Sequence, residues 1–190
     1  MWRSDCSAHF IGQTRKNGCG NLSLVKCDRT NLKLLLHQPL LLLVLWTIAP
    51  IQTIAQDCSA DKVDLRGSFG QIRFVVSVVD TPANRTHGLM DVSHLPQREG
   101  MLFVYRSPES VSFWMKNTLI PLDMLFANGK GEIILVHHNA RPHDETTIFG
   151  GNDVQFVLEI NAGLSRRYGI NAGSQMRHPS ISDNASWACK

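Results

Sequence analysis

The strongest constraint in the chain is one hairpin signal. Asp123-Met124-Leu125-Phe126-Ala127 and Glu132-Ile133-Ile134-Leu135-Val136 are two β-rich runs joined by Asn128-Gly129-Lys130-Gly131. Asn-Gly between such runs predicts a tight antiparallel turn. A hairpin with apolar residues on both sides needs further strands to cover it. The flanking sequence supplies them. Ile72, Phe74, Val76 and Val78 alternate with Arg73 and Ser77, the period of a strand with one buried face. Met101-Leu102-Phe103-Val104-Tyr105 is apolar on both faces and bounded by Gly100 and Ser107-Pro108, as a central strand would be. Residues 111–118 and 154–160 predict two more strands, and Gln175-Met176-Arg177-His178 a short last one.

Helical signals are few. Thr81-Pro82 is a cap followed by a first-turn proline, predicting a helix over 82–88. Residues 163–168, closed by Gly169, predict a short helical turn. Residues 137–149 are polar and loop-like, punctuated by Gly150-Gly151. The fold expected is mainly β (α+β): a small closed or half-closed antiparallel β-barrel with one short helix and a short C-terminal helical turn.

The 190-residue chain divides by composition. Residues 1–30 form a leader without apolar period. Segment 31–55 has the layout of a signal peptide: Lys26, Arg29 and Lys33 precede apolar runs, and Thr53 and Ala55 stand at the −3 and −1 places of a cleavage after Ala55. His37 and Pro39 interrupt the run, which favours a cleaved signal over a retained membrane anchor. Residues 56–69 are polar and read as an extended lead-in, 70–178 as the single folded domain, and 179–190 as a tail. Of 19 Lys/Arg and 16 Asp/Glu, six and two precede residue 56, so residues 56–190 carry 13 and 14. Near-neutral charge gives no footprint for nucleic acid, and the expected membrane contact is through the signal segment before cleavage. Cys6, Cys19 and Cys27 fall in the leader. Cys58 and Cys189, near the two ends of the mature chain, pair if the compartment is oxidising and are free thiols if it is not. The expected localisation is exported, in the periplasm or cell envelope.

Several short runs carry a resemblance. Arg85-Thr86-His87-Gly88-Leu89-Met90, Gly100-Met101-Leu102-Phe103, Phe113-Trp114-Met115-Lys116-Asn117-Thr118 with Ile120-Pro121-Leu122-Asp123, Asn139-Ala140, and Val157-Leu158-Glu159 with Gly163 and Gly169-Ile170 together resemble the domain of unknown function 192 family. The similarity spans about residues 70–178. It implies a small, mainly β domain, often exported, and supplies no reaction.

The residues with chemistry cluster around the Phe-Trp-Met-Lys-Asn-Thr run. Strand alternation puts Phe113, Met115 and Asn117 on one side and Trp114, Lys116 and Thr118 on the other. Trp114, Lys116, Asn117 and Asp123, joined by Arg85 and His87 from the helix, are the candidate ligand-binding residues for a small anionic or polar molecule. In the plainer reading, Asn117 and Asp123 tie off backbone amides at the bend over 119–121, Lys116 lays its stem on Trp114, and Arg85 pairs with Asp123 or Glu159. His137, His138, His143 and Asp144 have metal-ligating atoms, but adjacent histidines on a strand diverge. Met90, Met101, Met115 and Met124 read as core filler before soft-metal ligands. There is no serine elbow, and Asp123 with Glu159 has no diagnostic spacing for acid–base work. The expected role is a binding or accessory module without a cofactor. The alternatives are a hydrolase or lyase using Asp123, Lys116 and His87, and a metal-handling protein.

Overall fold

A computed structural model describes residues 58–189, in which every strand belongs to one sheet. Strand β1 (Lys62–Gly67) turns through Ser68-Phe69 into β2 (Gly70–Val79), with Gly67 opposite Gly70. Helix α1 (Pro82–His87) follows, its open amides met by the Thr81 hydroxyl, which accepts from the Asn84 amide at 3.3 Å. Strand β3 (Glu99–Phe113) then runs parallel to β2, Val75 facing Glu99 and Val79 facing Phe103. Parallel neighbours need a crossover, and α1 with its flanking segments is that crossover. The all-antiparallel expectation is therefore corrected at this one pair.

Strands β4 (Leu122–Ala127), β5 (Ile133–Ala140) and β6 (Ile148–Asn161) follow, then helix α2 (Leu164–Tyr168) and strand β7 (Gln175–Arg177). The order across the sheet is β5-β4-β6-β3-β2-β1-β7. The two outer strands meet at one end, where Glu132 bridges to Gln175, the Ile133 amide donates to Ser174 O at 2.8 Å and the Met176 amide to Gly131 O at 2.7 Å. The sheet thus curls into a half-closed barrel.

Several boundaries differ from the expectations. Part of the polar lead-in is β1, held because Val63 and Leu65 are buried while Asp64 on the other face is paired with Arg73 at 2.6 Å and Arg177 at 2.7 Å. Burial acts to raise the Asp64 carboxyl pKa, and the hydrogen bonds from Arg73 and Arg177 outweigh it, holding it below the ordinary range. Strand β3 is one long strand with bulges between Val104 and Ser112, joining the runs read as two. Residues 137–140 continue β5 and 148–153 begin β6, which shortens the expected loop to 141–147. The β4–β5 hairpin forms as expected, but its positive φ falls on Gly131 (73°) rather than Gly129, with the Asn128 side chain accepting from the Lys130 and Glu132 amides.

The sheet buries both faces. On the inside of the curl, Val63, Phe74, Leu102, Leu125, Ile133, Phe156, Leu158 and Met176 pack with Leu164 and Ile170, so α2 lies over this face. On the other face Phe103, Met115, Leu122, Met124, Phe126 and Val157 pack with Leu89 and Val111. Edge-to-face contacts of Phe113 with Phe103 (4.9 Å) and Phe126 (5.8 Å) fasten the end of β3 to this second layer. The tail is part of the fold: Ile181 is buried in the first core, Trp187 lies between the guanidinium groups of Arg66 (4.7 Å) and Arg177 (4.3 Å), and Cys189 is bonded to Cys58. Among the described residues no helix is long and apolar enough to cross a membrane. The segments read as leader and signal lie outside the described residues.

Candidate functional site: a cavity between the crossover helix and the Trp-Met-Lys-Asn-Thr turn

The second face is not completely filled. A cavity of about 380 Å³ opens between α1, the Gly88-Leu89-Met90 segment, the β3 residues Phe103 and Tyr105, and the chain from Ser112 to Thr118. Its walls follow from local backbone choices. Gly88 ends α1 at φ 53°, and its amide donates to Asn84 O. That turn directs Leu89 into the core and lets Met90 bridge to Thr118. Strand β3 ends at Phe113. Beyond it the Met115 amide donates to Asp144 O at 2.8 Å and the Thr118 amide to Met115 O at 3.1 Å, which folds residues 114–118 into a turn rather than the expected strand.

The turn breaks the alternation at Asn117, whose φ is 53°. Within this turn the side chains no longer alternate with the period of two that a continuous strand would impose. Asn117 is accordingly exposed and Thr118 is buried, the reverse of the expected pairing of Asn117 with Phe113 and Met115. Trp114, at 46% exposure, forms an outer wall with the Lys116 ammonium 5.2 Å from its ring centre. Arg85 crosses the cavity's other side. Its guanidinium lies 4.6 Å from the Tyr105 ring centre and donates to the Val104 and Asp80 carbonyls. It pairs with neither Asp123 nor Glu159, and the expected ion pair is corrected to these backbone contacts.

The floor of the cavity is Glu159. In β6 it stands between Met101 of β3 and Met124 of β4, all three on the face of the second core, and it is 4% exposed. No side chain or amide among the described residues donates to its carboxyl. Every fully buried side-chain oxygen and nitrogen among them has a partner, so the Glu159 oxygens, lacking one, are those reached from the cavity. Burial alone pushes its pKa up to about 8. Burial likewise raises the Tyr105 phenol to about 12, above the opposing effect of Arg85. At neutral pH the inner cavity therefore offers two uncharged hydroxyls within an aromatic wall.

Four of the six predicted ligand residues, Arg85, His87, Trp114 and Lys116, line this cavity, and Asn117 and Asp123 do not. Asp123 points to the opposite face of the sheet. One of its oxygens accepts from the Asn139 amide at 2.8 Å, and the other from the Ser165 amide (2.9 Å) and hydroxyl (2.6 Å). It joins the start of α2 to the end of β5. The carboxylate, lysine and histidine of the hydrolase alternative are consequently not assembled. His138 meets the Ser165 hydroxyl at 2.8 Å, and His137 lines a separate cleft with Asp144 and Asn139. Among the described residues no three His, Cys, Asp or Glu side chains come together as a metal-holding group. Glu159, Tyr105 and Phe113 were not among the predicted ligand residues. The one sequence signal for Glu159 is a lone carboxylate inside the apolar run Val157-Leu158-Glu159-Ile160, which alternation places on the face of Val157.

A half-closed barrel with a cavity over its outer face, roofed by a parallel crossover, defines the class of domain. Residues 65–178 match the model of DUF192, described as an uncharacterized ACR, and the chain belongs to that family. No curated protein matches the chain. Among solved structures it is similar to a protein of unknown function from Novosphingobium aromaticivorans DSM 12444, with 36% identity over 60% of this chain and 82% of that one, at a TM-score of 0.60. It is also similar to a Sinorhizobium meliloti 1021 protein described as a candidate transcription regulator, with 36% identity over 63% of this chain and 94% of that one, at a TM-score of 0.60.

Proposed function

We propose that this protein is a small-molecule binding module that works after export, in the periplasm or cell envelope, and holds a small polar ligand in the cavity over Glu159. The single observation that carries the reading is the Glu159 carboxyl, 4% exposed, which no group among the described residues satisfies and which lines that cavity. A carboxyl so placed costs free energy unless a partner arrives. The cavity volume lies in the range of small-ligand sites, roughly 300–1,000 Å³. The cationic side chains at its rim favour a ligand that carries an anionic group. Export is supported by the Cys58–Cys189 bond and by the layout of segment 31–55. The description of the S. meliloti neighbour does not extend to this chain, whose residues 56–190 are near neutral in charge.

The test is a thermal-shift screen of small metabolites on protein purified from the periplasm of cells making the full chain, repeated on Trp114→Ala and Glu159→Gln. A ligand that raises the melting temperature of the parent and not of the variants supports the reading. Equal stabilisation of all three proteins would place the ligand elsewhere. Sequencing of the purified protein is expected to begin at Gln56, with no free thiol at Cys58 or Cys189; a full-length cytoplasmic protein with reactive thiols would overturn export.

A further inference from the structure

We infer that the ligand of this cavity is a small zwitterion, bound with its ammonium inward on Glu159 and its carboxylate or phosphate outward toward Lys116 and His87. The inference rests on the binding reading above and specifies the chemistry of its ligand. It starts from the way charge is distributed along the cavity. The inner end holds one acid whose oxygens no group among the described residues claims, between two methionines that have nothing to donate. The nearby cations are drawn away from that acid. Arg85 is committed to two backbone carbonyls and the Tyr105 ring, and Lys116 sits against Trp114.

Neither a simple anion nor a simple cation satisfies both ends. An anion reaching the floor meets a carboxyl that must stay protonated to tolerate it, with no cation beside it. A simple amine must pass Lys116 and Arg85, whose charge raises its free energy at the rim. A molecule with both charges a few bonds apart meets each end with its opposite, an ammonium donating to the Glu159 oxygens and an acid group accepting at the rim. The rings of Phe103, Phe113 and Trp114 flank the path between, where π faces favour the carbons beside an ammonium. Arg85, already fixed on Tyr105, shapes the wall and is not the group that takes the ligand's anion.

The proton balance of the step is defined. In the empty site burial keeps Glu159 protonated at neutral pH. An incoming ammonium stabilises its carboxylate, so the acid's proton leaves to solvent while the ligand keeps its own. Binding near neutral pH therefore releases a proton, and the uptake of zwitterion strengthens as pH rises toward about 8.

The experiment is calorimetric titration of the exported protein, near neutral pH, in two buffers of different ionisation enthalpy. The probes are amino acids and phosphoethanolamine, each matched with its analogue lacking the amine and its analogue lacking the acid group. A zwitterion is expected to bind at least about tenfold more tightly than either analogue, with release of close to one proton. Glu159→Gln is expected to abolish the proton release and the advantage of the amine while leaving the acid analogue's affinity within about twofold. Lys116→Met is expected to weaken the zwitterion but not the amine. Carboxylate and phosphate arms tell which acid group is taken. Tight binding of the acid analogues alone, indifferent to Glu159→Gln, would overturn the zwitterion and leave the binding site standing. Absence of binding by all three classes, with parent and variants equally folded by melting, would overturn the zwitterion; whether the cavity binds at all is then decided by the metabolite screen.

Discussion

Glu159 occupies a position where Val, Ile or Leu would be easier to bury, since its cross-strand neighbours Met101 and Met124 are apolar and its carboxyl has no donor among the described residues. Its effect on stability has a defined sign. Its folded pKa of about 8 stands above the ordinary 4.5, so the stability it contributes is complete below about 4.5 and is lost as pH rises through about 8. Parent and Glu159→Gln are expected to melt alike near pH 4.5 and to diverge above it, the variant being more stable near pH 8. The difference between the two melting curves is the measurement that counts, because His178, whose pKa burial lowers, adds a slope of opposite sign to both proteins. Curves that stay parallel from acid to alkaline pH would show that Glu159 is not held neutral. The residue type was visible in the chain; its lack of a hydrogen-bond donor was not, because that depends on what β3 and β4 place beside it.

At the scale of elements, two polar residues of the family motif do structural work in different places. Asp123 accepts three hydrogen bonds, from Asn139 and Ser165, and secures α2 to β5. Asp123→Ala would leave buried donors without partners and is expected to cost about 3 kcal/mol in urea unfolding, with ligand affinity at the Glu159 cavity unchanged. Lost binding at unchanged stability would instead return Asp123 to the site. Asn117 turns the chain so that Thr118, not Asn117, is buried. Asn117→Val is expected to destabilise by about 1–2 kcal/mol, since a β-branched side chain resists the left-handed region, whereas Asn117→Gly should be close to neutral. The Thr81-Pro82 cap, the alternation of β2 and the β4–β5 hairpin were legible because each depends on neighbours a few residues apart. The extents of β3 and β6 were not, because bulges let a strand run through Pro108 and Gly150-Gly151, which read locally as breaks.

At the scale of the whole described domain, a disulfide joins its first residue to its last. The Cys58–Cys189 bond spans 131 residues, and Trp187 lies between Arg66 and Arg177 beside it. On the chain-entropy argument a bond enclosing that many residues contributes roughly 4–5 kcal/mol. Cys58→Ser, or reductant on the parent, is expected to lower the guanidinium midpoint accordingly, and a midpoint unmoved by either treatment would show that the ends are held by packing alone.

The amino-acid sequence by itself determined the predominance of strands, the first helix, the central hairpin and the family, because these follow from short-range periodicity, turn chemistry and contiguous motifs. Only the tertiary structure decided that β2 and β3 run parallel, that Asp123 and Glu159 face opposite sides of one sheet, and that Glu159 rather than Asp123 meets the cavity lined by Arg85, His87, Trp114 and Lys116. The physical reason is that a strand's side chains alternate with a period of two, so a single left-handed residue or bulge reassigns faces. Whether a buried polar group then finds a partner is settled by residues far away in the chain.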